Sequence, residues 1–414
     1  MRSLYLRIIA FAAAVMLIFS AQALTKEGIR SEYKRIANIP SDASPYAETP
    51  DPEGYSTAGR ITPEAEESAL ALVNFMRSIA GLENVETDPL YSLRAQNAAL
   101  VLAGNDALSH APVQPDGMGD DIYQSGYIGA SMSNIAKFNW MHSGILLDGV
   151  KYFARDDGEF NLSVLGHRRW LLDPQMKKTG FGLANAQSGN SFVVMHAVDG
   201  SNAGAAWDYV PWPAAGAFPT EFMQPDIAWS VTLNESVYDT GASDPEIILS
   251  EEKSGMRFSF QPASGEGDGY CCISWEDCGS GPCLIFRPNF SMTDFTAYEQ
   301  NQIWNVCIRN LTDTSGNSCE IAYRCEMISL YPQDVANVEI SQLNAEMTTG
   351  ETIALSANVI PSYADDLRVF WSSSDASVAA VDESGNVSAL ASGKCTITVS
   401  SINGRTDCCE ITVN

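Results

Sequence analysis

The first half of the chain carries helical periodicity and then turns to a strand-like pattern. Apolar residues recur every three to four positions through LVNFMRSIA, after the start signal TPE at 62–64, and predict an amphipathic helix that ends at Gly81. A second helix is predicted from Asp88 to Asn105 and a third from Ser143 to Arg155. Between them, Asp116–Gly129 is rich in glycine and is predicted to be irregular.

The stretch Gly166–Gly182, GHRRWLLDPQMKKTGFG, organises this half. Pro174 ends the helix that His167 begins, because proline lacks an N–H and crowds the preceding turn. Gly180 and Gly182 are predicted to give the backbone freedom before a strand over Phe192–Val198. His167 is a candidate functional residue, since histidine titrates near neutral pH and is the commonest metal ligand. A hydrogen-bonded structural histidine is the alternative.

The second half alternates apolar and polar positions in short runs separated by turn residues. Runs such as AWSVTL, EIILS, MRFSF, CLIFRP, QIWNVCI and IAYRCEM predict a β-sandwich over residues 206–333. Residues 207–219, rich in proline and tryptophan, are predicted to be a connector into it. A second sandwich is predicted over residues 334–414, where similar runs are joined by Ser-Gly and Asn-Gly turns.

The N-terminal segment indicates export. Residues 1–23 have a basic start, a short apolar core and an Ala-Gln-Ala cleavage site, and are predicted to be a secretory signal peptide. Residues 24–59 are polar and proline-rich, and are predicted to be a lead-in or linker with a short helix at Lys26–Ala37. No later stretch is long and apolar enough to predict a membrane span. The protein is expected to be secreted, or held at the cell surface by other contacts.

The net charge of the chain argues against two classes of partner. The formal net charge of −27 argues against nucleic acid and against anionic membrane surfaces as partners.

All ten cysteines lie between Cys271 and Cys409. Because export permits disulfides, pairing is the default prediction, with a metal site and free thiols as alternatives. Pairing of QIWNVCI with IAYRCEM would bring Cys307 and Cys325 near each other.

A hairpin is predicted at the end of the chain. Asn403 and Gly404 would form the tip of a type I′ turn, in which both residues need positive φ. In that register Cys395 faces Thr412, and therefore neither Cys408 nor Cys409.

Six motifs of the first half carry a resemblance. LVNFMRSIAGL, LRAQNAALVLA, LSHAP, SNIA, GHRRWLL and GFG, in this order over residues 60–200, resemble the CAP superfamily of cysteine-rich secretory, antigen 5 and pathogenesis-related proteins. The resemblance implies an α-β-α sandwich.

In that family a cleft collects two histidines and two acids, and some members bind zinc there. The resemblance implies that His110 and His167 are the two histidines and that Asp156 is the second acid. Ser133 stands where the family has the first acid. Because serine is a poor zinc ligand, we expect zinc to bind weakly or not at all, and no other cofactor is expected.

By the residues alone, two histidines and one carboxylate suit either a three-ligand metal site with an open position or a hydrogen-bonded cluster that orders two loops. His142 and His196 are predicted to be structural.

The basic residues beside His167 have two interpretations. Arg168, Arg169, Lys177 and Lys178 are predicted to form a basic patch. It is either a solvated face or, with Arg168, the rim of the cleft for an anionic ligand.

The C-terminal segment closely resembles the group 2 bacterial immunoglobulin-like domain, through VEISQLNAEMTTGETIALSANVIP, FWSSSD and SGNVSALASGKCTITVSS. Such domains usually act as spacers or adhesive modules on surface proteins. The chain is therefore predicted to be multidomain, with a CAP-like α-β-α sandwich over 60–205 followed by two all-β immunoglobulin-like sandwiches over 206–333 and 334–414.

The leading functional hypothesis is binding of a lipid, a cell-wall fragment or a protein partner in the histidine-lined cleft, at or near the cell envelope. A peptidase-like hydrolase that uses the His/Asp cleft is the second hypothesis, although no G-x-S-x-G or H-E-x-x-H motif supports it. A purely adhesive surface protein with a vestigial cleft is the third.

Overall fold

The computed structural model describes residues 25–39 and 44–414 and divides them into two compact units. The first unit contains the described residues up to Tyr298 together with Gln302–Ile328, and the second contains Glu299–Asn301 and Ser329–Asn414. The segments 60–205 and 206–328 therefore share one unit. The predicted signal peptide lies outside the described residues. Among the described helices, none has both the length and the apolar character that crossing a membrane requires.

The described part of the first unit contains six α-helices. They are α1 (Lys26–Ala37), α2 (Pro63–Ile79), α3 (Pro89–Asn105), α4 (Asp120–Ser131), α5 (Ile145–Arg155) and α6 (Gly166–Leu171).

Strands β1–β16 belong to the same unit. They are β1 (Tyr46–Glu48), β2 (Arg60–Ile61), β3 (Glu86–Thr87), β4 (Ser133–Phe138), β5 (Lys178–Asn185), β6 (Ser191–His196), β7 (Tyr209–Trp212), β8 (Gly216–Pro219), β9 (Trp229–Leu233), β10 (Glu246–Glu251), β11 (Arg257–Gln261), β12 (Glu266–Gly267), β13 (Gly269–Ser274), β14 (Cys283–Pro288), β15 (Ile303–Thr312) and β16 (Ser318–Ile328).

Strands β3, β5, β6 and β4 form, in that order, a sheet that lies between helices. On one face, alanines of α3 form a buried cluster with Phe192 and Val194 of β6. On the other, a Cβ at Gly149 of α5 would stand 2.4 Å from the side chain of Val193. Successive residues of a strand point to opposite faces, so α3 and α5 cover opposite faces of β6. The predicted α-β-α sandwich is confirmed.

Local signals predicted two helix starts correctly. The Thr62 side chain accepts a hydrogen bond from the Ala65 N–H at the start of α2, and Asp88 caps α3 in the same way. Helix α1 has the predicted bounds, but it is not part of a linker. Its Ile29 and Ile36 are buried, and its Tyr33 ring lies 5.6 Å from that of Phe75.

Two predictions based on glycine were wrong, for one reason. Residues 120–131 form helix α4 rather than an irregular segment. A Cβ at Gly129 of α4 would lie 2.1 Å from the Arg94 carbonyl oxygen, and one at Gly182 of β5 would lie 2.2 Å from that of Ala95. Gly180 and Gly182 have no positive φ. These glycines let α4 and β5 approach α3 closely, and do not supply backbone freedom.

The predicted connector is part of the middle sandwich. Its β7 pairs with β9 in the sheet β13-β14-β9-β7, and its β8 pairs with β16 in the sheet β12-β11-β10-β15-β16-β8. Large rings fill the space between the sheets, among them the fully buried Trp212, Trp229 and Trp304.

The second unit is an all-β domain with a core of its own. Its strands are β17 (Asn337–Ile340), β18 (Asn344–Met347), β19 (Thr352–Ala354), β20 (Ala357–Ile360), β21 (Val369–Ser373), β22 (Ala379–Val381), β23 (Asn386–Ala389), β24 (Gly393–Ser401) and β25 (Thr406–Val413). They form the sheets β17-β20, β18-β25-β24-β21 and β19-β23-β22. Ile397, Val399 and Ile411 are almost completely buried in the core, and Trp371 packs against it from one side.

The C-terminal hairpin differs from its prediction by one residue. The Gly404 N–H donates to the Ser401 carbonyl and, among the tip residues, positive φ occurs at Gly404 but not at Asn403. This is the three-residue loop in which a type I turn is followed by a left-handed residue. Cys395 consequently faces Ile411 rather than Thr412. As predicted, it faces neither Cys408 nor Cys409.

The expected disulfides are not supported, since all ten cysteines are free. Strands β15 and β16 do pair, but Cys307 lies opposite Ala322, and Cys325 lies opposite Trp304. Because Cys307 and Trp304 are three positions apart on one strand, the two thiols point to opposite faces of the sheet.

Candidate functional site

The centre of the candidate site is the buried carboxylate of Asp156. This residue follows the last turn of α5 in a left-handed conformation, with φ of 48°. Its Oδ1 lies 3.0 Å from the Asn161 Nδ2 and 2.9 Å from the His167 Nδ1, and its Oδ2 accepts a hydrogen bond from the Arg168 backbone N–H at 3.2 Å. The carboxylate thus joins the loop 157–165 to the first turn of α6.

These contacts fix the orientation of the His167 ring. Its Nδ1 lies within hydrogen-bond distance of both the Asp156 Oδ1 and the Asn161 Nδ2, so this side of the ring is occupied. The Nε2 atom makes no hydrogen bond within the described residues. The His167 side chain is 15% exposed. The site therefore presents one oriented imidazole nitrogen to an incoming molecule.

Aromatic rings surround this imidazole. The Tyr152 and Phe153 rings lie 5.9 and 5.4 Å from it, between centroids. Burial, and then the charges of Asp156 and Asp157, raise the pKa of Tyr152, so its hydroxyl stays protonated. The Phe138 ring touches both Tyr152 and the ring of Trp140, which is 50% exposed.

The loop that carries Asn161 adds a second exposed ring. Phe160 is completely exposed, one position before the asparagine that bonds to Asp156. Apolar surface therefore accompanies the single oriented nitrogen.

The predicted pair of His167 and Asp156 is a direct contact, and Asn161 completes it. Sequence reasoning did not assign a role to Asn161. The signal available for it was an amide five residues after the acid, in a loop that returns to the histidine.

His110 lies at another loop. It is exposed, and its Nδ1 lies 2.8 Å from the Ala130 carbonyl oxygen in the last turn of α4. Elsewhere, the Asn134 side chain of β4 donates to the His167 carbonyl at 2.8 Å, which ties β4 to α6. That His110 and His167 line one cleft stays a prediction.

Ser133 is not at an open edge. It is buried on β4 directly opposite His196 of β6, and its hydroxyl has no hydrogen-bond partner among the described residues. His196 is fully buried and stacks on the Tyr91 ring at 3.8 Å. Burial lowers the pKa of His196 to about 4. Ser133 is therefore part of a neutral interior pair rather than a vacant acid position.

The predicted basic patch is wrong for its two arginines. Arg168 is 1% exposed and Arg169 is 4% exposed. Arg168 donates from Nε to the Ala154 carbonyl and from one terminal nitrogen to the Ala228 carbonyl, each at 2.7 Å. Burial lowers its pKa to about 10, which leaves it charged at neutral pH.

Arg169 makes the same kind of link at a second place. Its guanidinium donates to the Ser274 hydroxyl and to the Glu276 and Gly281 carbonyls, at 2.8–3.0 Å. The two arginines thus join α6 to the middle sandwich, and neither lies free at a rim where it could take an anion.

No group of three histidine, cysteine, aspartate or glutamate side chains in the described ranges is arranged to hold a metal ion. His142 bonds to Asp148 at 2.7 Å at the start of α5, outside the site.

Comparison with known proteins identifies two domains. The sequence model of the cysteine-rich secretory protein family, CAP, matches residues 70–197, and that of the bacterial Ig-like domain (group 2) matches residues 334–409. The chain therefore carries both domains. Domains of these families are typical of extracellular or surface proteins.

Individual relatives match only short segments. The chain is 42% identical over 71 residues to a 3-O-alpha-D-galactosyl-alpha-L-arabinofuranosidase of Bifidobacterium longum, and 42% identical over 59 residues to an uncharacterized protein of Clostridium acetobutylicum. These alignments cover 17% and 14% of this chain, and the chain spans 6% and 15% of the length of these relatives.

Solved structures add little. Domains 4 and 5 of the S-layer protein SbsC match with 14% identity and a TM-score of 0.18, over 27% of this chain and 64% of that one. An intimin mutant from EHEC O157:H7 matches with 20% identity and a TM-score of 0.16, over 18% of this chain and 45% of that one. Values this low carry no functional information.

Proposed function

With a CAP domain and a group 2 bacterial Ig-like domain on one chain, we propose that this is an exported, surface-associated protein that binds an envelope ligand at His167. The Ig-like domain acts as a spacer or adhesive part. The ligand that suits the site is amphiphilic, with a hydrogen-bonding group beside an apolar body, as in a lipid. A cell-wall fragment or a protein partner is the alternative occupant.

The observation that carries the proposal is the oriented, half-buried imidazole. Asp156 and Asn161 hold the His167 ring from its Nδ1 side, and its Nε2 stays unbonded within the described residues. An oriented polar atom beside aromatic surface supports recognition of a ligand that has both characters.

Native mass spectrometry of the full chain, purified from its host, tests this proposal. We expect the wild type to carry a co-purified molecule and His167→Gln to lose it. His142→Gln is the matched control, because His142 is exposed and bonded to Asp148 away from the site. Equal occupancy in all three proteins would reject the His167 site.

One observation favours the hydrolytic alternative. The Asp156–His167 hydrogen bond is the arrangement by which an acid orients a general base. A hydrolase also needs a nucleophile, and among the described residues no serine, threonine or cysteine side chain bonds to Nε2, so water would have to serve. Hydrolysis of peptide substrates by the wild type, lost in His167→Gln and kept in His142→Gln, would establish turnover in place of binding.

A further inference from the structure

A second concave site lies in the first unit. It is a cavity of about 510 Å³, formed by α1, the end of α2 and residues 205–217. None of the residues that surround His167 lines it. Its volume falls within the range of small-molecule sites.

The cavity has an apolar floor and an aromatic rim. Five residues that line the cavity differ in burial: we call the buried Ile29, Ile79 and Pro211 its floor, and the half-buried Trp207 and Tyr209 belong to its rim. Such a floor favours a ligand with an apolar body.

The charged residues that line the cavity in the described structure are all acidic. The acidic residues Glu83 and Asp208 line it, and no lysine or arginine is among its lining residues in the described part of the chain. Glu83 is held by the exposed Lys177 at 3.4 Å, whereas Asp208 has no ion pair in the described structure. Burial, and then the Asp208 charge, raise the pKa of Tyr209.

The backbone at Trp207 and Asp208 is bonded to the middle sandwich. Asn234, just after β9, donates from its side chain to the Trp207 carbonyl at 2.6 Å and from its backbone N–H to the Asp208 carbonyl at 2.9 Å. Two consecutive residues of the rim are thus bound to the middle sandwich, and binding at the rim needs little ordering of the chain.

We propose that this cavity binds a small organic cation, an ammonium group attached to an apolar body. A cation gains from the faces of tryptophan and tyrosine rings, and a nearby carboxylate adds attraction. The apolar part of the ligand would lie on the floor formed by Ile29, Ile79 and Pro211.

Isothermal titration of the full chain at constant ionic strength tests this proposal. The first probes are choline and its uncharged isostere 3,3-dimethylbutan-1-ol, which differ in charge but hardly in shape. We expect choline to bind more tightly, by about fivefold. Hexyltrimethylammonium should bind more tightly than choline, by up to about fourfold for each methylene it buries.

Variants locate the site. Asp208→Asn should weaken choline binding by about fivefold and leave binding of the neutral alcohol unchanged. Glu266→Gln is the matched control, because it removes one exposed negative charge of the same unit outside the cavity. Trp207→Leu should weaken binding of the cation more than that of the alcohol.

Three results would each overturn the proposal. These are equal binding of choline and the alcohol, an equal effect of Asp208→Asn and Glu266→Gln, and no saturable binding of hexyltrimethylammonium. His167→Gln should bind the cation like the wild type, which separates this site from the one proposed above.

Discussion

The two sandwiches that follow the CAP domain have similar strand patterns but belong to different compact units. Residues 206–328 share one compact unit with the CAP domain, whereas residues 329–414 form most of the second unit. Side-chain links accompany this difference. Arg168 and Arg169 of α6, both buried, donate to carbonyls of the middle sandwich. Alternation of apolar residues predicts a sandwich, but it does not predict whether that sandwich folds alone.

The largest expected effect comes from breaking the arginine link. Arg168→Met should lower the free energy of unfolding of the first unit by about 4 kcal/mol, because buried carbonyls lose their donor. Calorimetry of the full chain should show this loss in one transition and leave that of the second unit unchanged. Arg324→Met, which removes an exposed arginine of the same unit, should change stability by less than about 0.5 kcal/mol. Similar effects of the two substitutions would contradict the link.

Acid should also separate the two units. The chain has four histidines, all in the first unit, and burial holds the pKa of His196 at about 4. Between pH 6.5 and pH 4 the unfolded state therefore binds a proton that the folded state does not. The stability of the first unit is complete above pH 6.5 and falls as pH decreases, by up to roughly 3 kcal/mol from this group.

The pH effect is checked by unfolding at pH 7, 5 and 4. His196→Leu should flatten the pH dependence of the first unit, and His142→Gln should leave it unchanged. An identical pH dependence in the wild type and His196→Leu would show that the acid sensitivity arises elsewhere.

A core substitution tests the second unit in place of the first. Ile397 is fully buried, and Ile397→Val should lower stability by about 1 kcal/mol in the second transition alone. Ile402→Val removes the same methylene from a residue that is 52% exposed, and should have almost no effect. If Ile397→Val also lowered the first transition, the two units would not be independent.

The smallest expected effect is that of zinc. We predict weak binding or none, so zinc should move neither transition midpoint by more than about 1 °C relative to a chelator. A rise of several degrees in the first transition, abolished by His167→Gln, would mean that His167 is part of a real zinc site.

How much the sequence predicted depends on how local each feature is. Helices α2 and α3 were predicted because a cap and a period lie within each helix. Helix α4 was missed because Gly129 serves its close approach to Arg94, a residue of another helix, and the local sequence does not show this contact. The Asp156–His167 contact followed from the order of the family motifs. The pairing of Ser133 with His196 was missed because it depends on the register of β4 against β6, and the arginine contacts because their partners lie far along the chain.

The arginine contacts have a consequence for synthesis. Arg169 and its acceptor Gly281 are 112 residues apart, and Arg168 and Ala228 are 60 apart. The CAP domain is synthesised well before these acceptors. Until the middle sandwich has formed, both guanidinium groups therefore lack part of their hydrogen-bond partners. A chain stopped at residue 205 would lack the Ala228 and Gly281 acceptors altogether.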